Sequence, residues 1–255
     1  MNVNRFFVQK SGFEGELVRL SPEQAHQVCH VLRLTPGDSI IVLDDNGTEY
    51  DVTLTAVRLP ETVGRITGRQ PARGEPQAKL TLFQSLLARE KFEWVLQKAT
   101  EVGVTQFAPV LTERSIVRAR LIEGKKLDRW RRIVTEAAEQ SHRGRVPTLD
   151  QTITFGEAIS RLRDFDRALI AAPSPKAVSL PDALRDLGRG AVSIGLMIGP
   201  EGGFSDAEVN LAWETGAIPI HLGPRILRTE TAAVVASALI LYELGDMEPQ
   251  TYGDR

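Results

Sequence analysis

Cysteine is nearly absent: of 255 residues only Cys29 carries a thiol, so no internal disulfide can form and a reducing compartment, the cytoplasm, is expected. No apolar run reaches the length of a membrane-spanning helix, and no basic-then-apolar leader stands at Met1–Gln9. Neither charge sign dominates, since 31 basic and 33 acidic residues leave a net charge of −2. A globally basic nucleic-acid binder is thereby excluded, but not a local basic surface. Metal ligands are scarce as well. His26 and His30 share a helix face with Cys29 nearby, yet only His142 and His221 remain elsewhere, so no metal site is expected. Cys29 reads as a small hydrophobe rather than a nucleophile. The glycine patterns of dinucleotide and phosphate loops are also missing.

What is present concentrates near the C-terminus. Val192–Ile198 is a β-rich run that enters Gly199-Pro-Glu-Gly-Gly-Phe-Ser205, and Ser205 with Glu208 forms a capping box for the next helix. Ile218–Leu222 repeats the design into Gly223-Pro-Arg-Ile-Leu-Arg-Thr-Glu-Thr231, where Thr229 or Thr231 is expected to cap a helix from about Glu230. Such turns gather beyond the carboxyl ends of parallel strands, where α/β sheets bind ligands. Glycines here leave room for a ligand against the backbone, so a bulky residue at Gly202 is expected to fill that room.

The first seventy residues read as short strands around one helix. β-like runs lie at Arg5–Gln9 and Glu16–Leu20, and a capping box at Ser21 and Gln24 starts a helix running to about Leu34. Ser39–Asp44 and Thr48–Val57 flank the hairpin signal Asp45-Asn46-Gly47, and a further strand lies near Val63–Arg69. Gln70–Pro76 is a polar linker. Beyond it, strands at Leu80–Leu87, Thr105–Leu111, Ala168–Ala172, Val192–Ile198 and Ile218–Leu222 alternate with helices, predicting a mostly parallel sheet covered on both faces. Those helices include Lys91–Val102, Leu121–His142 and Glu230–Leu244. From Glu113 to Arg145 there are ten basic residues, Arg118 and Arg120 among them, against five acidic ones, a candidate RNA footprint or a solvated helix face.

Gly199-Pro-Glu-Gly-Gly203 with Leu222-Gly-Pro-Arg-Ile-Leu-Arg-Thr-Glu-Thr-Ala232 resembles the signature of the bacterial 16S rRNA (uracil-N3)-methyltransferase family, of the SPOUT class. Gln97–Gly103, Glu113-Arg114-Ser115, Glu139–Arg143, Val31-Leu32-Arg33 and Pro36-Gly37 extend the likeness in order along nearly the whole chain. The resemblance implies a PUA-like β-barrel RNA-binding domain at 1–72. It implies a SPOUT methyltransferase domain at 73–255 with a C-terminal trefoil knot, using S-adenosylmethionine on 16S rRNA of the small ribosomal subunit. On that reading the cofactor lies among Ala171, Ala172, Ile198, Gly199, Pro200, Glu201, Gly202, Gly203, Leu222, Gly223, Ile226, Leu227, Arg228, Thr229 and Ala232.

Candidate RNA contacts are Arg5, Arg33, Lys91, Lys98, Arg114, Arg143 and Arg145. Lys91 carries over from a family pattern whose first two places here hold Ala88 and Arg89. Lys98 and Glu101, three residues apart on one helix, also read as a plain ion pair. Arg228 is the candidate to meet the reacting uracil, and Glu201, Glu230 and Glu101 are the candidate bases. Two rival readings are a SPOUT enzyme acting on another nucleotide (a ribose 2′-hydroxyl or tRNA) and a non-catalytic ribosome-assembly module. The helix from Glu230 is apolar on nearly every face, as in a helix buried on all sides, and a homodimer through it is expected, with Ala236 at the interface.

Overall fold

A computed structural model of the chain describes residues 3–115, 124–188 and 190–248. Arg118, Arg120 and the expected helix start at Leu121 lie outside the described residues. Two compact units result: Met1–Glu75 with Thr135–Val146, and Pro76–Val134 with Pro147–Arg255.

The first unit is a curled sheet of six strands: β1 (Arg5–Phe7), β2 (Phe13–Glu14), β3 (Leu17–Arg19), β4 (Ser39–Leu43), β5 (Thr48–Val57) and β6 (Thr62–Pro71). Their order is β1-β4-β5-β6-β3-β2, antiparallel except where β1 runs parallel to β4. Register breaks between Asp51 and Val52 and between Leu54 and Ala56 bend the long β5–β6 pair, as extra residues in a ladder do. Ile40 and Val42 of β4 with Val52 and Leu54 of β5 alternate inward onto Phe6, Val18 and Val28. The hairpin forms as expected, with Asp45 at φ 59° and Gly47 at φ 94°.

Helix α1 (Pro22–His26) starts from the expected Ser21–Gln24 box and then widens into a π turn over Gln27–Val31 instead of continuing to Leu34. Arg33 follows in the left-handed region at φ 55°. The His26 and His30 rings lie 4.8 Å apart on that surface. Among the described residues no three His, Cys, Asp or Glu side chains are grouped to hold a metal ion.

The second unit holds an eight-stranded sheet paired in parallel throughout: β7 (Lys79–Ser85), β8 (Gln106–Leu111), β9 (Thr148–Leu149), β10 (Ile153–Thr154), β11 (Arg167–Ala171), β12 (Val178–Ser179), β13 (Ser193–Ile198) and β14 (Ile218–His221). The order is β10-β8-β7-β13-β11-β14-β12, with β9 also on β8. Helices α2 (Arg89–Val102), α3 (Lys125–Gln140), α4 (Phe155–Leu162), α5 (Leu180–Leu184), α6 (Asp206–Glu214) and α7 (Thr229–Glu243) follow among the described residues. Thr135–Gln140 of α3 belongs to the first unit. α2, α5 and α7 cover one face of the sheet and α4 with α6 the other. At Gly195 of β13 an added Cβ would lie 2.6 Å from Leu162, so glycine there lets α4 seat against the strand.

Among the described residues no helix is long and apolar enough to cross a membrane.

Candidate active site

Parallel register brings three strand ends level, since Ala171 of β11 pairs with Ile198 of β13 on one side and Ile220 of β14 on the other. Ala171-Ala172, Ile198–Gly203 and Leu222–Thr229 therefore leave the sheet along one edge, as the sequence pattern predicts. β7 adds Gln84, level with Ile198, and Ser85.

Thr229 joins these segments. It does not cap α7, whose N-cap is Arg228 with no side-chain bond; Thr229 is the first helical residue, and its hydroxyl donates to the Gly199 carbonyl. Gln84 Nε2 lies 3.5 Å from the same hydroxyl and donates to the Ser85 carbonyl at 3.0 Å. Ser205 and Glu208 form the expected capping box, and Glu208 also accepts the Glu113 N–H at 2.9 Å, tying the β8 exit to this edge.

Three buried polar atoms here have no hydrogen-bond partner among the described residues: Gln84 Oε1, Ser85 Oγ and Glu230 Oε2. An unpaired buried polar group costs about 1–3 kcal/mol. An edge that gathers three, where Ala171-Ala172 and Gly199 leave neighbouring strand ends, suits a polar ligand held close to backbone. Gly203 is in the left-handed region at φ 66° with open space where a side chain would project.

Gly202 behaves otherwise. An added Cβ would meet the Arg114 side chain at 3.3 Å, and its φ is not positive, so bulk at Gly202 presses first on Arg114. Arg114 donates to the carbonyls of Gly202 at 3.1 Å and Phe204 at 3.3 Å, so its guanidinium braces the glycine turn.

The candidate bases separate. Glu201 accepts from Lys91 at 3.1 Å, which fastens the turn to the start of α2. Glu101 pairs with Lys98 at 2.7 Å. Both sit late in α2, whose Gly103 cap lies beside Pro76 at the opposite end of the sheet, so neither reaches the strand ends. Of the three acids, only Glu230 brings an unpaired buried oxygen to the edge. Arg228 beside it is exposed, as is Ile226, which is 100% exposed.

The basic segment divides between the units. In the second, Arg129 pairs with Glu93 at 2.7 and 2.8 Å, Arg131 with Asp128 at 3.4 Å, and Lys126 lies over the Trp130 ring. In the first, Arg143 is only 2% exposed and holds Glu75 through Nε and Nη2 at 3.1 and 3.0 Å. The expectation that Arg143 meets RNA phosphates is thereby corrected: burial and Glu75 occupy it. Arg5 is similarly enclosed against Glu49. Arg145 is exposed and donates to the Asn46 carbonyl at 2.9 Å. Arg33 is exposed with no partner among the described residues. Sequence reasoning missed Gln84 and Ser85, although "Gln-Ser" ending a buried strand is itself a polar interruption worth noticing.

Residues 74–241 match the RNA methyltransferase domain family, and residues 20–58 match the RNA methyltransferase PUA domain family. Ribosomal RNA small subunit methyltransferase E of Bacillus subtilis is 32% identical over 90% of this chain and 91% of its own length. The crystal structure of ribosomal RNA small subunit methyltransferase E from Neisseria gonorrhoeae, bound to S-adenosyl methionine, superposes with a TM-score of 0.84 at 33% identity, covering 94% of this chain and 98% of that one. A methyltransferase from Legionella pneumophila in complex with the bound cofactor SAM gives a TM-score of 0.86 at 31% identity, covering 95% and 98%.

Proposed function

The chain belongs to the ribosomal RNA small subunit methyltransferase E family, and from that membership we propose that it methylates N3 of a uridine in 16S rRNA with S-adenosylmethionine as donor. The observation that carries this reading is the level exit of three strand ends onto an edge with unpaired Gln84, Ser85 and Glu230 oxygens. When bound, S-adenosylmethionine supplies a methyl group already activated by its sulfonium. The backbone of Ile198–Gly203 and Leu222–Leu227 would hold it, with Ala171, Ala172, Thr229 and Ala232 beside it.

Uracil N3 carries a proton at neutral pH and is not nucleophilic until that proton leaves. Glu230, whose Oε2 is buried and unpaired, accepts it. Arg228, exposed and permanently charged, steadies the negative charge that develops on O2 or O4. Lys91 holds Glu201 and thereby the glycine turn. Arg33 and Arg145 contribute exposed cations for rRNA phosphates.

The reading extends to topology and assembly. β13 lies between β7 and β11 with β14 beyond, an interleaving that supports a knotted C-terminal chain. α7 buries Ala233, Ala236, Ser237, Ile240 and Leu241 within the chain while Leu239 is 41% and Tyr242 66% exposed. That apolar outer face, with Ile226, supports a homodimer. Work on rRNA supports a cytoplasmic location.

Mass spectrometry of 16S rRNA from a strain lacking the gene tests the reaction. Loss of one methylated uridine, restored by the gene, is expected. An unchanged uridine profile with a methyl group lost elsewhere points to a different target nucleotide, and no change at all removes the activity.

A further inference from the structure

The first unit carries a hollow of about 710 Å³ that the methyl-transfer reading does not use. Phe13 and Tyr50 form one wall, their ring centroids 5.2 Å apart and tilted by 55°, and Ile66 lies beside them. All three pack one side against the core of this unit and line the hollow with the other. Lys10 and Arg69 stand on the same hollow, both exposed and without an ion-pair partner among the described residues. Two acids, Asp44 and Glu16, also line it. Asp44 accepts the N–H groups of Asn46 and Thr48 at 2.8 and 3.0 Å, and Glu16 pairs with Arg65 at 3.3 Å. With Glu16 matched by Arg65, Lys10 and Arg69 outnumber the remaining Asp44 carboxylate, and the balance left to a ligand is positive.

A second hollow of about 290 Å³ shares Lys10, Asp44 and Asn46 with the first and reaches Phe7 and Asp45. Lys10 thus stands where the two meet. Arg145, held to the Asn46 carbonyl, adds another cation to the same hairpin.

The geometry points to a subsite for an unpaired nucleotide of the RNA substrate, its base against Phe13 and Tyr50 and its phosphates at Lys10 and Arg69. The inference rests on the rRNA reading above and names where a single-stranded stretch is gripped. A volume in the range of about 300–1,000 Å³ suits a ligand of nucleotide size. Aromatic faces beside cations are how unpaired bases are held, whereas a duplex keeps its bases stacked inside and has none to offer such a hollow. An acidic peptide would find the cations but leave the paired rings without a planar partner.

The test uses the full chain carrying Tyr50→Leu, which keeps apolar contact with the core, and separately Lys10→Ala with Arg69→Ala, both exposed positions. Binding of a fluorescent single-stranded oligouridylate and of an RNA duplex is measured, with KM for small ribosomal subunits and calorimetric affinity for S-adenosylmethionine. Expected are roughly five- to hundredfold weaker oligouridylate binding and a raised KM, the range that loss of one stacked base gives. Duplex binding and cofactor affinity stay unchanged. Folded variants that bind oligouridylate as wild type does overturn the subsite while leaving the methyltransferase intact. Equal losses for single strand and duplex also overturn it, since they show a general cationic surface. A wild-type protein that binds oligouridylate through this hollow yet methylates no subunit sinks the parent reading instead.

Discussion

Glu139 offers a sharp test of how the first unit is held. Its carboxylate accepts the Phe7 N–H at 2.9 Å, fixing strand β1 to the segment Thr135–Val146. Burial, only partly offset by that bond and reinforced by Glu136, raises its pKa from 4.5 to about 7. The folded unit therefore binds a proton more tightly than the unfolded chain. Stability from this group is complete below pH 4.5 and is lost as pH rises through about 7. At about 1.4 kcal/mol per pH unit, the full loss is about 3 kcal/mol. Glu139→Gln keeps a carbonyl oxygen for the Phe7 N–H and removes the charge. The variant should match wild type near pH 4.5 and exceed it by about 1–3 kcal/mol at pH 8. His142 works in the opposite sense, since burial and then Arg5 lower its pKa and cost stability as pH falls below 6.5. The difference between variant and wild type isolates Glu139. All 3 tryptophans lie in the second unit, so hydrogen exchange in β1, β4 and β5, measured from pH 5 to 8, reads the right part of the molecule. Parallel pH profiles for the two proteins would refute the argument.

Four further outcomes follow from the second unit and the surface of the first. Arg114→Ala removes two bonds to the glycine turn and should weaken S-adenosylmethionine binding by about tenfold in calorimetry; unchanged affinity means the turn holds itself. Glu230→Gln should slow methyl transfer by about a hundredfold or more with cofactor affinity retained, and wild-type turnover would remove it as the base. Leu239→Glu with Tyr242→Glu should convert a dimer to a monomer in sedimentation and stop methylation, whereas a wild-type monomer that methylates defeats the dimer outright. Arg33→Ala should raise KM for ribosomal subunits and lower the salt slope by about one, and an unchanged slope marks Arg33 as solvated only.

Local signals were the readable part of this sequence. The boxes at Ser21–Gln24 and Ser205–Glu208 and the hairpin at Asp45–Gly47 each satisfy backbone groups within a few residues, and all three formed. Two-residue strands such as β9, β10 and β12 are too short for any hydrophobic period to register. The site itself depended on distant pairing. Gln84 and Thr229 meet across 145 residues, and Arg143 is neutralised by Glu75 across 68, so a count of nearby charges could credit Arg143 to RNA but could not see its partner.

Helix α7 shows why composition alone does not say which of its residues face outward. Apolar residues on every face fit equally a helix enclosed by its own chain and one shared with a second copy. The fold buries Thr229 and the stripe through Ala233, Ala236, Ser237, Ile240 and Leu241 and leaves Leu239 and Tyr242 exposed. Ala236 is 0% exposed, so a charge there breaks the unit's own core and reveals nothing about assembly. The informative positions are those the chain leaves uncovered, Leu239 and Tyr242. Their apolar area on the outside of an otherwise packed helix is what a partner would remove from water. A fully exposed Ile226, on the loop that leads into the same helix, extends that demand from the helix to the edge of the active site. If one partner surface covers both, assembly and cofactor binding are coupled, and the charged pair at Leu239 and Tyr242 should weaken cofactor affinity together with dimerisation.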